Sequence, residues 1–291
     1  MAAYRLLVVD IDGTLLDPGG SVRPRTRAAL RAAMNAGTRI VLATARRYGI
    51  TAPIADMLEL NGPLILYDGA QIKEHPSGHV LAAWPLQQEL SQQVCITMTR
   101  HGIQPIMQLD RNGEVLLTGP EESDDEWVRS YLPLYQHEVR RLSYAELYAQ
   151  CVEPLRVVAF APPEPLRAIR EELRELPCQF AYLPSGSYGT AELSAQHVAA
   201  TKGEAVRTLA RMLDIPLSET MVVGDSFNDI SMFAIAGLSI AMGQAPQTVA
   251  EHATARTTSN MEDGLALAIE RYILQNSRSL EKTESTPNDL S

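Results

Sequence analysis

Acidic side chains stand directly behind two apolar runs. Leu6, Leu7, Val8 and Val9 lead into Asp10 and Asp12 in VVDIDGTLLD, and Met221, Val222 and Val223 lead into Asp225, Asn228 and Asp229 in MVVGDSFND. Burying a carboxylate without a partner is costly, so acids in such places point to a bound cation or a proton-transfer task. Three more polar side chains join them: Thr44 and Arg46 close the run RIVLATAR, and Lys202 heads the helix KGEAVRTLARMLD. The set comprises carboxylates for a hard cation, a hydroxyl donor and one mobile ammonium. Mg²⁺ takes oxygen ligands and commonly bridges one or two carboxylates to a substrate phosphate, a role open to Asp10 and Asp225. A carboxylate also attacks phosphorus once cations offset its repulsion from a phosphate, and Lys202 with Mg²⁺ would do so. If the chain stays extended, Asp10 and Asp12 share one side, so that one can attack while the other protonates the leaving oxygen.

The elements that must position these groups alternate. A strand ends at Val9, a helix runs from about Pro24 to Ala36, the strand RIVLAT and a further helix follow, and PLILYDGA supplies another strand. From Glu192 the alternation resumes with the helix KGEAVRTLARMLD, the strands TMVVGD and LSIAMG, and a last helix ending near Leu274. That order predicts an α/β fold, a Rossmann-like doubly wound parallel sheet, which binds ligands beyond the carboxyl ends of its strands. Residues 85–190 differ in texture: a helix at LQQELSQQVCITMTRHG, two strands around the turn RNG, an acid-headed helix from Glu121, and strands at LRVVAF, QFAYLP and YGTAEL. They predict a separate α+β domain inserted into a core made of residues 1–84 and 191–274. Residues 275–291 have Leu280 and Leu290 as their large apolar side chains, the composition of a disordered tail.

The chain has 291 residues, 45% apolar and 21% charged, with no apolar run long enough to span a bilayer. Its N-terminus lacks the plan of a secretory signal. A formal charge of −10 argues against a general affinity for nucleic acid or anionic lipid. The cluster Arg23, Arg25, Arg27 and Arg31 reads as the solvated face of the first helix. Cys95, Cys151 and Cys178 are odd in number and far apart, which indicates neither a disulfide frame nor a zinc site and fits a reducing cytoplasm. No oligomeric state follows.

DIDGTLLD, ATAR, TKG and GDSFND, in this order, resemble the four motifs of the haloacid dehalogenase superfamily. More narrowly, the chain is similar to the Cof-type, sugar-phosphatase-like group, whose members carry a large α/β cap between the second and third motifs. The likeness continues through GLSIAMGQAPQTVAEHATARTTSNMEDGLALAI. It implies a Mg²⁺-dependent phosphatase of small phosphorylated metabolites, with Asp10 as the nucleophile that becomes aspartyl-phosphate and Asp12 as general acid and then base. Thr44 would bond the transferring phosphoryl group, and Lys202 would hold that group and the nucleophile. Arg46 and Asn228 fall to the substrate side, with Asn228 supporting the phosphate or Lys202. The resemblance implies Mg²⁺ bound by Asp10, the carbonyl of Asp12 and Asp225, with Asp229 as a direct or indirect ligand. Three positions depart from the group's pattern: Ala45 within TAR, Asp68 within YDGA and Gln244 within MGQA.

Other features read more plainly. DIDG lacks the spacing of a calcium loop. The acids of EESDDE, residues 121–126, suit a solvated helix start. His101, His137, His197 and His252 show no ligand spacing. Tyr182, Ser185 and Tyr188 belong to a cap strand and loop, where they either face a substrate or pack the cap. Two rivals to a phosphatase remain: a phosphotransferase such as a phosphomutase, and a non-catalytic protein that binds a phosphorylated ligand.

Overall fold

The computed structural model describes residues 4–275 apart from 112, 136, 151 and 184–188. The expected tail, Cys151, Ser185 and Tyr188 lie outside the described residues, save Gln275 at the start of the tail. The chain divides into two compact units, one of residues up to Leu81 together with those from Thr201 onward, the other Ala82–Ala200.

The first unit opens with β1 (Leu6–Asp10), α1 (Pro24–Asn35), β2 (Arg39–Ala43), α2 (Tyr48–Met57), β3 (Gly62–Leu66), β4 (Gln71–His75) and β5 (Val80–Ala83). The second unit holds α3 (Gln88–Arg100), β6 (Ile106–Asp110), β7 (Glu114–Thr118), α4 (Glu126–Tyr131), β8 (Val139–Arg141), α5 (Tyr144–Ala149), β9 (Arg156–Ala161), α6 (Pro163–Glu172), β10 (Cys178–Leu183) and β11 (Ala191–His197). The chain then returns through α7 (Lys202–Met212), β12 (Thr220–Gly224), α8 (Ile230–Phe233), β13 (Leu238–Ala241), α9 (Gln247–Ala250), β14 (Ala255–Arg256) and α10 (Gly264–Ile269), which runs on as a π-turn over Glu270–Leu274.

An eight-stranded sheet in the order β14-β13-β12-β1-β2-β3-β4-β5 carries the first unit. Its members from β14 to β3 pair in parallel, and β4 turns back antiparallel to β3. Residues Leu6 to Val9 are wholly buried, as a central parallel strand covered on both faces must be. The path moves from β1 to β2 in one direction and from β12 to β13 in the other. Right-handed crossovers therefore put α1 and α8 on opposite faces, and the order reverses between β1 and β12.

The second unit is built on a six-stranded sheet, β10-β11-β9-β6-β7-β8. Alternate residues of β9 serve its two faces. Val157 and Ala159 join Val94, Met98, Leu166 and Ile169 in one apolar layer, whereas Val158 and Phe160 join Val128 and Tyr131 of α4 in the other.

Two expectations change, and one open alternative narrows. The second boundary falls at Thr201 rather than at 191, because β11 pairs with β9 and β10 and so belongs to the inserted sheet. The helix expected from Glu121 starts at Glu126, since Asp125 caps it by accepting from the N–H groups of Trp127 and Val128, and Glu121–Ser123 forms a separate 3₁₀ turn. Tyr182 packs beside the layer of Val157 and Leu166, with the Arg167 guanidinium 6.0 Å from its ring centre, so among the described residues of that strand and loop it serves packing. Of the basic cluster at the start of α1, Arg25, Arg27 and Arg31 are exposed as expected and Arg23 is half-buried; Arg23 pairs with Asp263, Arg25 with Glu270 and Arg31 with Glu59.

Candidate active site

Strands β1 and β12 lie side by side in register, Val9 beside Val223, so both send their next residues to the same edge of the sheet at the point where strand order reverses. Asp10 ends β1, and Asp225 follows β12. Thr44 follows β2, two strands along. Helix α7 brings Lys202 in as its first residue, fixed by Thr201, whose hydroxyl oxygen accepts the Glu204 N–H at 3.1 Å.

Lys202 is completely buried and donates from Nζ to Asp10 Oδ1 at 2.6 Å and to Asp229 Oδ1 at 2.7 Å. Asp229 is also fully buried, and its Oδ2 accepts the N–H groups of Asp225 and Ser226, each at 2.9 Å. Both oxygens of Asp229 are thus committed. Burial works against the Lys202 charge, but Asp10 and Asp229 outweigh it and hold the ammonium protonated far above its ordinary range. Burial raises the Asp10 carboxyl well above the usual range; Lys202 opposes this, and Asp229 and Asp225 add to it. Asp225 is pushed up to about 6, by burial first and then by Asp229. Negative neighbours thus raise Lys202, and they add to the burial that raises Asp10 and Asp225.

Oxygens of Asp10, Asp225 and Asp229 lie within 4.8 Å of one another. Asp10 Oδ2 and Asp225 Oδ1 are buried without a hydrogen bond. Two orphaned, charge-rich oxygens in one carboxylate cluster fit a hard divalent cation of the Mg²⁺ kind. Gly13 permits the approach: its φ is +83°, and a Cβ there would lie 2.2 Å from Asp225 Oδ2.

Asp12 does not share a strand face with Asp10. Strand β1 ends at Asp10, the chain turns, and the Asp12 side chain is 59% exposed. Arg46 grips it in a two-pronged pair, Nε to Oδ2 at 2.8 Å and one terminal nitrogen to Oδ1 at 2.5 Å. The Arg46 N–H donates to Thr44 Oγ1 at 3.1 Å, and Thr44 itself is buried. Asn228, in the turn Phe227–Asp229, donates to Asp68 Oδ1 at 2.7 Å. The structure therefore gathers Asp10, Lys202, Asp225 and Asp229 into one cluster. It sets Asp12 with Arg46 at the rim and ties Asn228 to a residue outside the expected set.

The sequence model of the haloacid dehalogenase-like hydrolases matches residues 7–269. The chain belongs to that family. A relative of this hydrolase, the HMP-PP phosphatase of Serratia proteamaculans, is 29% identical, with 83% of this chain matched to 85% of that protein. The 5-amino-6-(5-phospho-D-ribitylamino)uracil phosphatase YcsE of Bacillus subtilis is 26% identical, covering 93% and 96% of the two chains. A solved haloacid dehalogenase-like hydrolase from Bacteroides thetaiotaomicron, 25% identical, superposes with a TM-score of 0.76 over 92% of this chain and 99% of that one.

The hydrolase surrounds its acids with residues that carried no role in the sequence reading. A cavity of about 490 Å³ is lined by Asp12, Arg46, Asp225, Gln244 and Asn260, among others. Gln244 donates to the Gly13 carbonyl and, at 3.3 Å, to Asp225 Oδ2, while its Oε1 accepts the Asn260 N–H at 3.2 Å. The signal available for Gln244 and Asp68 was their departure from the group's pattern. No helix among the described residues is long and apolar enough to cross a membrane.

Proposed function

We propose that this hydrolase is a Mg²⁺-dependent phosphatase of small phosphorylated metabolites, acting through an aspartyl-phosphate on Asp10. The observation that carries the reading is the division of labour at Asp10: one carboxylate oxygen is held by Lys202, and the other is buried and unbonded in a carboxylate cluster where Asp225 also keeps an unbonded oxygen. The names of the relatives support the substrate class, since the HMP-PP phosphatase, YcsE and a pyridoxal phosphate phosphatase of Escherichia coli, YbhA, are all named for small phosphorylated compounds.

Asp10, the Asp12 carbonyl and Asp225 would hold the Mg²⁺. Asp229, with both oxygens engaged, would position Lys202 and the 225–226 backbone rather than bind the ion directly. Bound there, the ion would supply positive charge that offsets the repulsion of the Asp10 carboxylate from a phosphate. Asp10 attacks phosphorus, and the bond from phosphorus to the alcohol oxygen breaks. Asp12 delivers a proton to that oxygen, then takes one from the water that attacks the aspartyl-phosphate. Lys202 steadies Asp10 and offsets charge on the transferring group, to which the Thr44 hydroxyl donates. Arg46 would hold Asp12 until substrate arrives and then turn to the substrate.

The reading is tested by phosphate release from p-nitrophenyl phosphate and a panel of sugar, nucleotide and cofactor phosphates, with Mg²⁺ or EDTA. Turnover that requires Mg²⁺ and is lost in Asp10→Asn is the expected result. A folded protein that releases phosphate from none of them overturns it.

A further inference from the structure

The turn Tyr67–Gly69 after β3 takes part in none of the steps above, yet its backbone is held in a costly shape. Tyr67 and Asp68 are successive non-glycine residues with φ of 51° and 56°, followed by Gly69 at 100°. Left-handed backbone of this kind persists where the surroundings over-determine it, and such places gather at functional sites.

Three separate segments of the site meet this turn. The N–H of Tyr67 donates to the Arg46 carbonyl at 3.1 Å, and that of Asp68 to the Thr44 carbonyl at 2.9 Å. Gly69 lies against the start of α7, so closely that a Cβ would be 2.2 Å from the Thr201 carbonyl oxygen and 2.7 Å from the Lys202 nitrogen. The Asp68 carboxylate receives the Asn228 amide at 2.7 Å. Thr44, Lys202 and Asn228 are far apart in the chain, and the turn touches the backbone of the first two and the side chain of the third.

We propose that Asp68 is a positioning residue of the phosphoryl site, fixing the amide of Asn228 so that its remaining N–H faces a phosphate oxygen; this rests on the phosphatase reading. Among the described residues, the bond to Asp68 is the hydrogen bond that orients the exposed Asn228 side chain. Its amide nitrogen carries two hydrogens, and the bond to Asp68 uses one. Substrate phosphate then meets a donor already oriented, and less freedom is lost on binding.

The test is a double-mutant cycle on the binding of inorganic phosphate in the presence of Mg²⁺, read by calorimetry, with Asp68→Gly, Asn228→Ala and the double variant. Glycine is chosen because it keeps the left-handed turn without strain while removing the carboxylate. Each single variant is expected to weaken phosphate binding about tenfold, and the double variant no further, since either change undoes the same clamp. Asp68→Asn, whose carbonyl still accepts from Asn228, restores affinity to within about threefold of the native protein. Multiplying losses, an unaffected Asp68→Gly, an Asp68→Asn as weak as Asp68→Gly, or native protein that binds no phosphate overturns the proposal. Native protein that binds phosphate with the coupling intact but releases none from any ester sinks the phosphatase reading and leaves this one standing.

Discussion

Lys202 and Asp10 form a buried ion pair at 2.6 Å, and the same ammonium reaches Asp229 at 2.7 Å. A pair of this kind does little for stability compared with apolar packing, but removing one member strands charge in the interior. Its place at the strand-order reversal, with the second oxygen of Asp10 unbonded, gives it a chemical rather than a structural rationale.

Lys202→Met should therefore lower the stability of the metal-free protein by about 3 kcal/mol at pH 7, measured by urea unfolding in EDTA. The loss should shrink at pH 4.5, where the abandoned Asp10 carboxyl, already raised by burial, takes up a proton. A loss that does not change with pH would contradict the pairing.

Divalent metal should stabilise the fold in a pH-dependent way. Asp225 is raised from 3.8 to about 6. An acid whose pKa rises on folding costs the native state nothing below its unfolded value, a growing amount between about 4 and about 6, and the full amount above that. Metal that binds the ionised form relieves this cost, so added Mg²⁺ should raise Tm more at pH 7.5 than at pH 5, and by less in Asp225→Asn. Equal shifts at the two pH values would rule out ligation through these carboxyls.

Gly13→Ala should fold and fail as an enzyme. The new Cβ would collide with the Asp225 carboxylate, at a backbone angle alanine resists. Displacing a reacting group by about 1 Å costs on the order of 100-fold, and the Mg²⁺-dependent rise in Tm should vanish with the activity. An alanine variant that keeps both would remove the close approach of Gly13 from the account.

Cysteine alkylation probes the second unit. Burial pushes the Cys178 thiol up to about 11 and raises the buried Cys95 further. Little of either is thiolate at pH 8, so peptides bearing Cys95 and Cys178 should stay unmodified by iodoacetamide in the native protein and react once it is unfolded in urea. Rapid labelling of Cys95 in the native state would show that its helix opens readily.

Sequence patterning exposed the parts of the site that strand ends control. Leu6–Val9 and Met221–Val223 are short apolar runs that stop at acids, and parallel pairing of the two strands brings those acids together. Lys202 was legible as a helix start; its cap, Thr201, was not. Pairings between side chains were not: Arg46 meets Asp12 across 34 residues, and Asn228 meets Asp68 across 160, distances at which periodicity is silent. The extended course assumed for Asp12 failed because β1 ends one residue after Val9. The run YGTAEL reads as a strand of the inserted domain, but nothing in the sequence marks that this strand continues to His197, so the boundary at 191 fell short.

Trapping the phosphorylated enzyme tests the role of Asp10 most directly. Asp12→Asn, impaired in activating the attacking water, is mixed with p-nitrophenyl phosphate and Mg²⁺, quenched in acid and digested for mass spectrometry. One phosphoryl group on the peptide containing Asp10, absent from the Asp10→Asn variant, is the predicted result. Steady phosphate release by the native enzyme with no phosphoryl group on that peptide, or undiminished turnover in Asp10→Asn, would contradict the account.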